Sequence, residues 1–121
     1  MRVLVTRPIE DAGETAAHLR ELGHTALIAP LLEVRFRDGA KLSFDGVQAI
    51  VATSANGVRA LIRRTPRRDM RIFAVGPQTA AEARSAGFFD VRNAQGDSVA
   101  LAEAIADWTT PGQDQLLHVA G

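Results

Sequence analysis

The sequence predicts an α/β fold in which short parallel strands alternate with helices, and three observations support this prediction. Short β-branched, apolar runs recur along the 121 residues. The segments between them place apolar residues at helical spacing. Glycine, proline or hydroxyl residues mark the points where the spacing changes between strand and helix. Because a strand that rejoins its sheet after a helix lies parallel to the previous strand, this alternation predicts a parallel sheet covered by helices on both faces.

The first 29 residues predict two strands around one helix. Residues 2–6 form a short β-branched run that Arg7-Pro8 ends, and residues 24–29 form a second strand-like run. Between them apolar residues recur at helical spacing, at Ile9, Ala12, Ala16, Leu19 and Leu22, and Gly23 follows as a stop signal. Two strands and one helix bury too little apolar surface to offset the entropy of ordering them. We therefore expect this βαβ piece to be an incomplete first domain that another segment completes.

A linker strand is predicted over residues 30–43, before a second domain of βα repeats at 44–121. Apolar and charged residues alternate after Pro30, as in an exposed two-faced ribbon. In the second domain the strand-like runs are residues 47–52, 71–75, 89–92 and 116–119. The helical patterns between them cover residues 58–62, 79–86 and 99–106, the last opened by Asp97 as an N-cap. Because the chain stops directly after a strand, we expect it to be the front part of a longer protein.

Composition excludes several classes of site. The chain has no cysteine, which removes thiolate catalysis and Cys-based iron–sulfur or zinc sites and fits a reducing compartment. Lys+Arg and Asp+Glu are equal at 14 each, so no overall field steers nucleic acid or anionic lipid to the chain. The longest apolar run, residues 26–32, is far shorter than a membrane span. We expect a cytoplasmic protein without a membrane anchor.

Small, hydroxyl and glycine residues follow the predicted strands. They are Thr6-Arg7-Pro8, Thr53-Ser54-Ala55-Asn56-Gly57, Gly76-Pro77-Gln78-Thr79 and Ala120-Gly121. In open parallel sheets ligands bind at the carboxyl ends of the strands, where helix N-termini present amide donors. The same residue types are ordinary helix caps and turn formers, and capping is the simpler interpretation of any one of them. Their recurrence favours a site rich in hydrogen-bond donors, with Thr79 at a helix start.

Other chemistries find little support. A basic cluster is formed by Arg63, Arg64, Arg67, Arg68 and Arg71. It follows a helix and precedes a strand, without interleaved aromatic residues, so we interpret it as a solvated face at the opposite end of the sheet. The three histidines, His18, His24 and His118, lack metal-ligand spacing, Ser54 has no candidate base, and no nucleotide-binding glycine loop is present. Apart from Arg7, the site is poor in titratable groups, which suits a polyanionic ligand bound by geometry and charge stabilisation.

Four motifs, taken in order, resemble the uroporphyrinogen-III synthase family. They are Val3-Leu4-Val5-Thr6-Arg7-Pro8, Thr53-Ser54-x-x-Gly57-Val58, Ala74-Val75-Gly76-x-x-Thr79-Ala80 and Leu116-Leu117-His118-Val119-Ala120-Gly121. The ordered set runs over essentially the whole chain and is more specific than any one of its members.

This resemblance implies two flavodoxin-like α/β domains joined by a two-stranded linker, with the active cleft between them. The family is a cyclising hydro-lyase of porphyrin and haem biosynthesis. It takes the linear tetrapyrrole hydroxymethylbilane, which carries eight carboxylates, removes its terminal hydroxyl and inverts the last pyrrole ring through a spiro intermediate. It then closes the macrocycle to uroporphyrinogen III. The resemblance also implies a monomer that uses no metal and no organic cofactor.

The resemblance further implies roles for individual residues. Arg7 matches the Arg-Pro motif of the first domain, while Ser54 and Thr79 match hydroxyl residues that face the cleft from the second. We expect Thr79 to be the catalytic residue, hydrogen bonding near the departing hydroxyl or a ring acetate. Substrate-binding candidates are Arg7, Thr53, Ser54, Gly76 and Gln78, with Gly76 giving backbone access. The family's cleft tyrosine has no counterpart, because this sequence contains no Tyr, and we expect the 121 residues alone to be inactive.

The alternative hypothesis is a non-catalytic α/β module that binds an anionic ligand or a partner, for which the arginine cluster is the candidate surface. Salt-sensitive binding to nucleic acid would favour it. We expect neither a nucleic acid nor a membrane as partner. The strand edge of the incomplete first piece would also allow strand or domain exchange between copies.

Overall fold

All strand pairs in the described part of the chain are parallel, and helices connect successive strands within each sheet. The structure, a computed structural model, describes residues 1–39 and 41–120. The chain divides into two units, Met1–Phe36 and Arg37–Gly121. The predicted α/β class is confirmed, and the parallel sheets agree with the flavodoxin-like fold that the resemblance implies. No helix in the described residues is long and apolar enough to cross a membrane.

The N-terminal unit is a two-stranded sheet with one helix. Strand β1 (Arg2–Val5) leads through Pro8 into helix α1 (Ile9–Glu21), and strand β2 (Thr25–Ile28) returns parallel to β1. The stop signal predicted at Gly23 is confirmed, since its φ of 85° lies in the left-handed region that glycine adopts without strain.

One face of this small sheet is covered and the other is open. The alanines Ala12 and Ala16 of α1 are fully buried and let the helix approach Val5 closely. On the opposite face Leu4 and Leu27 are register partners across the two strands and are 56% and 62% exposed. The unit therefore buries only the helix side of its apolar surface.

The second unit is a four-stranded sheet with three helices. Its elements are β3 (Val47–Ala52), α2 (Ala55–Arg64), β4 (Ile72–Ala74), α3 (Pro77–Ser85), β5 (Val91–Asn93), α4 (Ser98–Trp108) and β6 (Gln115–Val119). The strand order is β5-β4-β3-β6, which places β3 and β4 at the centre. Central strands of a parallel sheet are buried on both faces, and this explains the uninterrupted apolar runs in their sequences.

The core of the second unit lies on both faces of its sheet. On one face Ile50 and Ile72 pack with residues of α2 and α3, among them Val58, Leu61 and Ala83. On the other face Val51 and Phe73 pack with α4, where the Phe73 and Trp108 rings lie 5.0 Å apart. Successive residues of β3 and β4 thus alternate between two cores, as the period of a strand requires.

Two sequence predictions need correction. The linker strand predicted over residues 30–43 is absent from its described part, 30–39 and 41–43. An alternating pattern becomes a strand only where a partner strand offers backbone hydrogen bonds. The N–H of Leu31 donates to Thr6 O at 3.1 Å, but no strand of either sheet includes described residues of this segment. The third strand of the second unit lies at Val91–Asn93 rather than 89–92, because Phe88 is buried in the turn after α3 while Phe89 is 81% exposed.

Candidate functional site

The carboxyl ends of the second unit's strands form one polar edge. We call the segments that follow the four strands the carboxyl rim: residues 53–56, 75–79, 94–98 and Ala120. Backbone hydrogen bonds continue the sheet into it, from Val75 N to Ala52 O at 3.1 Å and from Ala94 N to Ala74 O at 2.9 Å. The segments after β3 and β4 are therefore neighbours, so the candidates Thr53 and Ser54 lie beside the loop that carries Gly76, Gln78 and Thr79. Gly121, also predicted at this edge, lies outside the described residues.

Ser54 is held by the start of helix α2. Its hydroxyl oxygen accepts the Gly57 N–H at 3.0 Å, which makes Ser54 the N-cap of the helix. The Asn56-Gly57 pair is helical, so the rejection of a hairpin at this point is confirmed. Since a hydroxyl that accepts one hydrogen bond keeps its own proton, Ser54 can still donate to a carboxylate in front of the rim.

Gly57 brings α2 close to the end of β6. A Cβ atom at this position would lie 2.6 Å from the carbonyl oxygen of Val119, well inside contact distance. The glycine therefore lets the first turn of α2 pack against the neighbouring strand end. This close approach draws the Ser54 side of the rim toward β6.

The Gly76 loop presents backbone donors. Helix α3 starts at Pro77 with Gly76 as N-cap, and no side chain caps it. Helix geometry gives the amides of Gln78 and Thr79 no acceptor within the helix, and Gln78 is the exposed residue of the two. A Cβ at Gly76 would approach nothing nearer than 3.8 Å, so glycine is not required here for space.

Thr79 departs from the expectation of an open hydroxyl. It lies in the first turn of α3, where the sequence places it, but the residue is only 5% exposed. Neighbouring Gln78 is exposed. Threonine in a first helical turn faces back toward the strand it follows, and local spacing alone does not reveal that burial. The Thr79 side chain is therefore almost closed to solvent at the rim.

Thr53 has a partner that sequence reasoning missed. Its Oγ1 lies 3.0 Å from Nε2 of His118, across the β3–β6 pair. His118 is exposed and is the next-to-last residue of β6. Histidine spacing along the sequence gave no signal, because the contact depends on β6 lying next to β3. The contact could have been found by noting the polar residue near the end of each strand and pairing these residues for each possible strand order.

Asp97 is the acidic residue of the rim. Its carboxylate caps α4 and accepts the N–H groups of Val99 and Ala100, both at 3.0 Å, as the sequence predicts for an N-cap. The rim segments contain no Lys or Arg. Their charge is therefore that of one carboxylate already engaged by a helix N-terminus.

Arginines of the basic cluster make hydrogen bonds and ion pairs with other groups of the protein. Arg67 makes two 3.1 Å hydrogen bonds to the carboxylate of Asp69, and this bonding lowers the pKa of Asp69 and raises that of Arg67. Arg71 pairs with Asp90 at 2.8 Å, and Arg68 donates to the carbonyls of Thr65 and Ala86. These contacts give a nucleic acid or other anionic partner no row of unengaged guanidinium groups.

Arg7 belongs to the other unit. Its Nη1 donates to Thr15 Oγ1 at 2.8 Å, which directs the guanidinium along α1. A cavity of about 250 Å³ lies beside the start of the same helix, lined by Ile9, Glu10 and residues 30–34. Its charged side chains are those of Glu10 and Glu33, so the cavity does not suit a polyanion.

The chain matches the model of a known protein family over most of its length. The family described as uroporphyrinogen-III synthase HemD matches residues 13–121. The matched range contains the whole carboxyl rim and begins after Arg7. A search of curated proteins finds no match.

Proposed function

Because the chain belongs to the uroporphyrinogen-III synthase family, we propose that it serves the reaction of that family. The substrate is hydroxymethylbilane, and the product is uroporphyrinogen III. The terminal hydroxyl leaves as water, the last pyrrole ring is inverted, and the macrocycle closes. The reaction needs no oxidant or reductant, and in this proposal it uses neither a metal ion nor an organic cofactor.

The observation that carries this proposal is the donor-rich rim of the second unit. Adjacent strands end in hydroxyl and amide donors, from Thr53 and Ser54 to the amides of Gln78 and Thr79. Carboxylates are acceptors only, so a ligand with many carboxylates matches an edge made of donors. Backbone amides at the start of α3 add the positive end of the helix dipole.

Within this proposal each candidate residue has a role. Thr79 is the catalytic residue, with its hydroxyl bonded near the departing hydroxyl or a ring acetate. Thr53, Ser54, Gly76 and Gln78 bind substrate carboxylates through hydroxyl, amide and side-chain donors. Arg7 supplies a guanidinium from the first unit.

A coupled assay tests the proposal. Hydroxymethylbilane is unstable, so it is generated in the same cuvette and the products are separated as isomers I and III. We expect isomer III in excess of the control without protein. The assay is run on the 121-residue chain and, where the reading frame continues, on the longer product. We expect the activity from the longer product, because the first unit buries only one face of its sheet. Isomer I alone from every form would overturn the proposal.

A further inference from the structure

Loss of the terminal hydroxyl needs an acid. The C–O bond breaks with its electron pair on oxygen, and the pyrrole ring supplies electrons to the carbon that is left behind. Near neutral pH the oxygen departs readily only as water, which requires a proton donor whose pKa is close to the working pH. Serine and threonine hydroxyls and backbone amides hold their protons too tightly for this task. A titratable side chain beside the rim is suited to this task.

The described rim offers few candidates. Its segments 53–56, 75–79, 94–98 and Ala120 contain one titratable side chain, Asp97, which acts as acceptor for two amides of α4. The next ionisable residues along these strands are Arg92 of β5 and His118 of β6. The guanidinium of Arg92 lies over the Trp108 ring and keeps its protons near neutral pH, whereas the imidazole of His118 reaches Thr53 at the rim. Histidine changes its charge near neutral pH, whereas an acceptor carboxylate does not donate there.

Resting on the proposed function, we propose that His118 gives the proton to the departing hydroxyl oxygen and that Thr53 positions its ring. Nε2–H donates to Thr53 Oγ1, and Nδ1–H carries the proton that is transferred. After transfer the Nε2–H bond to Thr53 persists, so only Nδ1 changes its protonation. The water leaves, and the proton released from the pyrrole carbon at ring closure returns to Nδ1. The cycle therefore balances without a further reactant.

The charges around His118 fit this role. Strand β3, its neighbour, carries no charged residue over Val47–Ala52. Helix α2 also contacts β6, and its Arg59 is paired with Glu82 at 3.3 Å, while its Arg63 is paired with Asp38 at 3.8 Å. Arg64, the other cation of α2, also makes an interaction of its own.

The sheet also separates His118 from Thr79. Strands β6 and β4 lie on either side of β3, so at roughly 4.8 Å per strand the backbone of His118 stands about 10 Å from β4, and Thr79 lies in the helix that follows β4. With His118 at the hydroxyl, the Thr79 position is left for a ring acetate of the same tetrapyrrole.

The test compares His118→Gln, Thr53→Val and Thr53→Ser in the coupled assay, in the form of the protein that gives isomer III. Glutamine keeps a hydrogen-bond donor for Thr53 but cannot supply a proton. We expect His118→Gln to lower kcat by about 10²- to 10⁴-fold, with little change in KM, and to abolish the loss of kcat on the alkaline side. Thr53→Val should lower kcat, and Thr53→Ser should restore it. His18→Gln, which replaces an exposed histidine of α1, is the matched control.

Thermal denaturation of each variant separates folding from catalysis, since His118 is exposed and its replacement removes no core contact. If His118→Gln retains the kcat and the pH profile of the wild type, the role of His118 is wrong and the proposed function stands. If Thr53→Val is unaffected, Thr53 does not position the ring. If the wild type forms no isomer III, the proposed function fails, and the inference fails with it.

Discussion

Ser54 combines a structural and a binding role that substitution can separate. Ser54→Ala removes the acceptor for the Gly57 N–H and should lower the free energy of unfolding by about 1 kcal/mol. Ser54→Asp keeps an N-cap and places a negative charge at the rim, so stability should be retained while KM for the polycarboxylate rises. Urea denaturation and the coupled assay measure the two effects. An unchanged KM in Ser54→Asp would show that carboxylates do not approach this part of the rim.

Thr79 allows a crossed pair of substitutions. Thr79→Val keeps the buried shape and removes the hydroxyl, so we expect stability to change little while kcat/KM falls by roughly 10- to 100-fold, the value of a hydrogen bond to a charged group. Thr79→Ser keeps the hydroxyl and removes a buried methyl group. It should lose about 1 kcal/mol of stability and retain most of its turnover.

The control for Thr79 lies at the other edge of the sheet. Arg67→Ala breaks an exposed pair with Asp69 and should leave turnover unchanged. Equal losses of activity in Thr79→Val and Arg67→Ala would contradict the placement of the site at the carboxyl rim.

At the scale of elements, the approach of α2 to β6 predicts that alanine is tolerated less well at Gly57 than at Gly76. Helix propensity alone would make Gly57→Ala stabilising by up to about 1 kcal/mol. The added Cβ would meet the backbone carbonyl of Val119 at 2.6 Å, so we expect a net destabilisation of about 1–3 kcal/mol. Gly76→Ala, with 3.8 Å of clearance, is the control and should lose only the roughly 0.5–1 kcal/mol by which alanine is a poorer N-cap than glycine. Thermal and urea denaturation of both variants measure these changes in the free energy of unfolding. A stabilised Gly57→Ala would show that α2 can move away from β6.

The elements that local pattern determines were predictable. The apolar runs of β3 and β4, the N-cap at Asp97 and the helical start at Asn56-Gly57 all follow from residues within one turn or strand. Because these elements depend on contacts between near neighbours in the sequence, the local residue pattern is enough to predict them.

The features that the sequence did not predict depend on contacts between residues that are distant in the sequence. The Thr53–His118 pair spans 65 positions and exists only because β6 takes its place beside β3. The burial of Thr79 and the missing linker strand likewise depend on which segments become neighbours. A local pattern limits the secondary structure that a segment can adopt, and the segment that packs against it in the fold determines which structure forms.

At the scale of the whole molecule, equal numbers of acidic and basic residues conceal a separation of chemistry in the second unit. Ion pairs such as Arg67–Asp69 and Arg71–Asp90 use cations at the amino ends of the strands, while the carboxyl rim offers uncharged donors. In the proposed function, attraction of the substrate thus depends on short-range hydrogen bonds more than on net charge. The same arrangement removes the arginine cluster as support for a nucleic-acid module.

The two units should also differ in local stability. Strands β3 and β4 contain fully buried residues such as Ile50 and Phe73, whereas β1 and β2 leave Leu4 and Leu27 more than half exposed on one face. Amides open with a free energy that follows the buried apolar contacts around them. We expect hydrogen exchange of β1 and β2 in the 121-residue chain to be faster than that of β3 and β4, with the half-buried edge strand β5 between them. Mass spectrometry of peptides that cover each strand measures this order. Protection of β1 equal to that of β3 would contradict the expectation, because it would require a cover over Leu4 and Leu27.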